Sequence, residues 1–102
     1  MGNFVKAVSA SEIPANQGKT IDVQGTSIAV FNVKGQFCAI ANACPHRGGP
    51  LGEGDIEGVL VTCPWHGWQF DVTTGVSPVN PAAKVKKFNC QVQNSDVLVE
   101  VE

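Results

Sequence analysis

An all-β fold, an antiparallel sandwich or barrel, is what this 102-residue sequence predicts. Short runs rich in Val, Ile, Phe and Thr recur along the chain, and Gly, Asn or Pro bounds each one. That is the pattern of many short strands joined by tight turns. No apolar pattern of helical period persists for ten residues. The length points to one domain, residues 1–102, able to bury roughly 60% or a little more of its unfolded surface.

In chain order, Phe4 to Val8 reads as a first strand. Ser9-Ala-Ser-Glu12 has the spacing of a capping box and predicts a helical turn, which Pro14 soon stops. Asn16-Gln-Gly18 is turn chemistry. Lys19 to Val23, Ser27 to Val33 and Gln36 to Ala41 follow as strands, separated by Gln24-Gly25 and Lys34-Gly35. Within Ile28-Ala-Val-Phe31 both faces are apolar, so this strand is expected to be covered on both sides. Val59 to Thr62 and Gln69 to Val72 are strand-like runs on either side of residues 63–68. Thr73-Thr-Gly75 reads as a hairpin-type turn. Val85 to Val92 and Asp96 to Val101 finish the chain, joined at Gln93-Asn-Ser95.

Composition excludes several classes of function. Hydrophobic residues make up 43% against 16% charged, so the chain has the material for a packed core. A net charge of −2 and an isoelectric point near 5.6 provide no basic field for nucleic acid. No apolar run approaches the roughly 18 residues of a membrane span. Met1-Gly2-Asn3-Phe4 is not a secretory leader. A cytoplasmic monomer is the expectation. Of the four cysteines, Cys38 alternates with Ile40, and Cys90 with Phe88 and Val92. A disulfide between them is possible, but cytosolic thiols usually stay reduced, and two buried core thiols are expected.

The chemistry lies in two nearly matching half-sites, Cys44-Pro-His46 and Cys63-Pro-Trp-His66, with sixteen residues between His46 and Cys63. They contain the only two histidines of the chain. Two Cys and two His in paired spacing form a metal site. Zinc takes such a set in tetrahedral structural sites; a 2Fe-2S cluster can take two Cys on one iron and two His on the other. Zinc fingers pair Cys with Cys and His with His, whereas each half-site here mixes the two. The spacing favours the cluster and leaves zinc open.

Cys44-Pro45-His46 and Cys63-Pro64-Trp65-His66-Gly67-Trp68-Gln69-Phe70-Asp71 resemble the paired cluster boxes of Rieske proteins, and the resemblance runs on through Gly75 and Pro81. The chain is most similar to the small soluble ferredoxins that serve ring-hydroxylating oxygenases. The resemblance implies a Rieske-type antiparallel β-sandwich or barrel with an inserted cluster-binding subdomain, about residues 42–72. It implies one 2Fe-2S cluster held by Cys44 and Cys63 on one iron and His46 and His66 on the other. The expected partners are a flavin-dependent reductase and a terminal oxygenase. Two ferric ions, two sulfides, two thiolates and two neutral imidazoles sum formally to zero, and to minus one after reduction. With both histidines committed, none remains for a mononuclear iron site, so the chain is expected to carry electrons and catalyse nothing.

High-potential relatives have a loop-bridging disulfide and Ser and Tyr hydroxyls donating to cluster sulfur. The matching positions here are Gly49 and Trp65, Trp68, and Phe70, and none can do that work. Fewer donors to sulfur lower the potential, toward about −150 mV, the low end of the range known for Rieske centres. Pro45, Pro64, Gly48 and Gly67 are read as loop-shaping residues; Pro81 resembles the proline segment that covers the cluster in the family, with an ordinary loop proline as the alternative. Trp65 is read either as core packing or as a shield or partner contact. Arg47, the acidic run Glu53, Asp55 and Glu57, and Lys84, Lys86 and Lys87 are read as solvated, with a docking role as the alternative. Two other functions compete. One is a zinc-stabilised interaction module; the other is a small subunit of a nitrite reductase, whose Rieske-like forms can lack ligands that this chain keeps.

Overall fold

A computed structural model describes residues 4–42, 50–65, 67–79 and 82–100. Among the described residues ten strands carry the fold: β1 (Phe4–Ser9), β2 (Gln17–Val23), β3 (Thr26–Val33), β4 (Gln36–Ala41), β5 (Asp55–Glu57), β6 (Leu60–Thr62), β7 (Gln69–Asp71), β8 (Lys87–Phe88), β9 (Cys90–Gln93) and β10 (Asp96–Glu100). They form three antiparallel sheets, in the orders β1-β10-β9, β2-β3-β4-β8 and β5-β6-β7. Among the described residues there is no α-helix. The all-β expectation is met.

The β2-β3-β4-β8 sheet lies at the centre because β3 and β4 bury both faces. Ile28 and Val30 of β3 point into one apolar core with Val8, Ile13, Ala39, Phe88, Val97 and Val99. Ala29 and Phe31 point the other way, into a second core with Ile40, Leu51, Val61, Phe70 and Val72. The run read as covered on both sides is so: all four residues are 0% exposed. Alternation along one strand therefore ties the β1-β10-β9 layer on one side to the β5-β6-β7 layer on the other.

Tight turns set the register. Gln24-Gly25 and Lys34-Gly35 have positive φ at both residues (51° and 83°, 52° and 92°), and each pair joins strands directly, Val23↔Thr26 and Val33↔Gln36. That is the two-residue hairpin whose twist matches its strands. Asn94-Ser95 does the same between β9 and β10.

Three local expectations are corrected. Ser9 precedes a single 3-10 turn, Ala10–Glu12, and its side chain makes no cap bond; Glu12 accepts from Lys19 Nζ at 3.0 Å, which, with a smaller contribution from the Ser9 main-chain N–H, lowers its carboxyl from the ordinary value. Gly18 belongs to β2 rather than to a turn. It sits opposite Phe31, whose ring occupies the space that a Cβ would need. Third, the run Val85 to Val92 is not one strand. It breaks at Asn89, where the chain passes from the central sheet to the β9-β10 pair, and Asn89 is tied there by Glu100 N–H to its carbonyl (2.9 Å) and by its own amide to Glu100 Oε1 (2.7 Å). As a result Val92 is 50% exposed. Cys38 and Cys90 are half-buried free thiols on opposite cores.

Candidate metal centre

The second half-site starts at Cys63, just after β6, and the first lies in the sequence between the end of β4 and Pro50. The first loop begins after Asn42 and returns at Pro50, and its ends are hydrogen-bonded to each other: Leu51 N–H donates to the Asn42 carbonyl at 2.8 Å. Cys44 and His46, with Arg47 and Gly48, lie outside the described residues. The second loop joins β6 to β7. Cys63 N–H donates to the Trp68 carbonyl at 2.6 Å, and Gly67 N–H donates back to the Cys63 carbonyl at 3.3 Å. Below them Thr62 pairs with Gln69 in the ladder, and Gln69 Nε2 reaches Thr62 Oγ1 at 3.3 Å. Gly67 has a φ of 76°, a left-handed position that glycine takes at little cost, so its loop-shaping role is met. His66 lies outside the described residues.

Cys63 is the one predicted ligand that is described. Its residue is 1% exposed, set in an apolar cluster with Leu51, Val61, Phe70, Val72 and Ala83. Leu51 closes the first loop and Ala83 belongs to a third segment, so one apolar pocket gathers all three. That third segment is a short hairpin: Ser77 N–H bonds the Ala83 carbonyl (3.0 Å), and Val85 N–H bonds the Gly75 carbonyl (2.8 Å). Pro81 lies outside the described residues. Gly67, Trp68, Gln69, Ser77 and Val79 line a cavity of about 290 Å³ between this hairpin and the second loop.

Around the pocket the electrostatic features are few. Phe70 is 0% exposed, and Trp68 packs against the same cluster. Trp65 is 49% exposed and Val79 78%, so the core-packing reading of Trp65 is set aside. Glu53, Asp55 and Glu57 are exposed, as are Lys84, Lys86 and Lys87; Asp55 and Glu57 stand on β5 rather than in a turn. Among the described residues no group of three His, Cys, Asp or Glu is placed to hold a metal ion. The thiol of Cys63 in its dry pocket, together with the sulfur and nitrogen donors that the sequence provides in the adjoining loops, fits a mixed-ligand iron–sulfur cluster.

An all-β scaffold that buries a cysteine thiol at the base of a glycine-turned loop provides one donor of a metal centre. The chain matches the Rieske [2Fe-2S] domain over residues 3–89, and it belongs to that family. It is 31% identical to the ferredoxin component of the naphthalene 1,2-dioxygenase/salicylate 5-hydroxylase systems of Ralstonia sp., over 98% of this chain and 97% of the relative. It is 33% identical to the biphenyl dioxygenase ferredoxin subunit of Pseudomonas sp. strain KKS102, over 95% and 91%. Among solved structures, the ferredoxin in a complex of reduced oxygenase and oxidized ferredoxin of carbazole 1,9a-dioxygenase is 29% identical, with a TM-score of 0.86 over 95% of this chain and 92% of that one. The cofactor is a Rieske-type 2Fe-2S cluster, and the chain is an electron-transfer component rather than an enzyme.

Proposed function

We propose that this chain receives single electrons from a flavin-dependent reductase and passes them to a terminal oxygenase, with Cys44, Cys63, His46 and His66 as the cluster ligands. When bound, the cluster supplies a one-electron couple. One observation supports the proposal: Cys63 is buried in an apolar pocket to which Leu51, just after the segment that carries Cys44 and His46 in the sequence, also contributes. Around Cys63 the chain packs apolar Leu51, Val61, Phe70 and Val72, and the Cys63–Trp68 main-chain bond closes the base of the second loop, an arrangement suited to small rearrangement on electron transfer. Exposed Trp65, next to His66 in the sequence, offers a partner an aromatic contact, and apolar aromatic residues are favoured at the centre of docking sites. The named ferredoxin relatives and the carbazole complex support an oxygenase as that partner.

The subdomain of about residues 42–72 is part of this reading. So is a cytoplasmic location; among the described residues no helix is long and apolar enough to cross a membrane. Reconstitution tests the proposal. Purified chain added to a ferredoxin reductase, NADH and a ring-hydroxylating oxygenase is expected to restore substrate turnover, and His66→Ala is expected to abolish it. Turnover that is indifferent to the chain would overturn the assignment.

A further inference from the structure

The first loop is held by more than its main-chain bond. Asn42 is 8% exposed, and its side-chain oxygen accepts the buried N–H of Gly52 at 2.8 Å and the Thr20 hydroxyl at 3.2 Å. Its own N–H donates to the Ser27 carbonyl at 3.1 Å, and its carbonyl accepts from Leu51 at 2.8 Å. One residue thus ties β2, β3 and both ends of residues 43–49 together. Gly52 completes the arrangement: a Cβ there would collide with the Thr20 hydroxyl and main chain, so the returning turn lies flush on β2.

We propose that Asn42 is the positioning residue of the first ligand loop, its side-chain oxygen pinning Gly52 and Thr20 so that the segment carrying Cys44 and His46 is presented in one conformation. The inference rests on the ligand reading above. A buried amide with no acceptor costs more than the bond it loses, so removing this oxygen opens the returning turn as well as loosening residue 42. The loop ends then separate and residues 43–49 regain conformational freedom. No sequence motif marks the residue, because its partners lie 22 and 10 positions away.

The test compares the holoprotein with Asn42→Leu, which removes the acceptor at similar volume, and Asn42→Asp, which keeps it. Cluster loss into excess chelator is followed by visible circular dichroism, the reduced-state EPR line width is recorded, and far-UV circular dichroism reports the fold. Asn42→Leu is expected to lose its cluster about tenfold faster, with a broadened EPR line, while Asn42→Asp stays within about twofold of wild type. Equal lifetimes and line widths in wild type and Asn42→Leu overturn the proposal, and so does an Asn42→Asp protein as impaired as Asn42→Leu. Should Asn42→Leu not fold, Thr20→Val decides: about threefold faster loss is expected, and an unchanged rate overturns it. Amide exchange at Gly52 reads the clamp without the cluster. It is expected to quicken about tenfold in Asn42→Leu, and an unchanged rate counts against the clamp even if wild type proves to hold no cluster.

Discussion

Phe70 lies fully buried beside Cys63, across the ladder from Val61, and has no hydroxyl to donate. Donors to cluster sulfur stabilise the more negative reduced state, and a bond to a charged group is worth about 1.5–3 kcal/mol. Phe70→Tyr is therefore expected to raise the midpoint by up to about 60–130 mV, at about 59 mV per 1.4 kcal/mol. Protein-film voltammetry showing no rise, with the cluster intact, would count against this account of tuning. Cys90 gives a second test at this scale. Burial, reinforced by the neighbouring Cys38 thiolate, pushes its thiol up to about 11. A thiol raised in this way is protonated in the fold at neutral pH, and the folded state is penalised as pH climbs from the unfolded value near 9. Iodoacetamide labelling of native Cys90 is expected to keep accelerating through pH 10; a plateau near pH 9, the behaviour of an ordinary thiol, would contradict the assignment. The candidate ligands stood out in the sequence because each half-site is local, and the one the structure describes, Cys63, is buried. Asn42 did not, because its role exists only once β2 lies beneath the loop.

Turn chemistry was the most readable element-scale signal. Gln24-Gly25 and Lys34-Gly35 declare their hairpins, and the doubly apolar Ile28–Phe31 declares a strand with two cores. Gly18 misled for a physical reason: its missing side chain makes room for the Phe31 ring from the facing strand, a tertiary demand with no local mark. Ser9-Ala-Ser-Glu12 was half right: Glu12 keeps a main-chain contact with Ser9 and adds Lys19, while the Ser9 side chain caps nothing in so short a turn. Asn89 breaks a run of continuous strand propensity because two sheets meet there. Gly18→Ala is expected to destabilise the fold by about 1–3 kcal/mol through overpacking against Phe31. Gly25→Ala has open space around it and is expected to cost about 1–2 kcal/mol, through its φ of 83° alone. Urea titrations read both, and a second substitution that relieves the first, Phe31→Leu in Gly18→Ala, separates them: it should recover stability only in the Gly18 background.

At the scale of the molecule, two cores share the β3–β4 pair, and the loops rise from the layer on one side of it. Trp65, two residues after Cys63, and Val79 are both left exposed. Trp65→Ala is expected to slow oxygenase reduction by about tenfold or more while leaving the midpoint unchanged, as loss of an interface anchor does; stopped-flow and voltammetry together check it. The most direct test of the central claim is pulsed EPR on the dithionite-reduced protein, with iron and acid-labile sulfide determined on the same sample. The account predicts two irons and two sulfides per chain, and two histidine nitrogen couplings of which one vanishes in His46→Cys or His66→Cys. A colourless protein holding a single zinc ion, or a reduced cluster without nitrogen couplings, would contradict it.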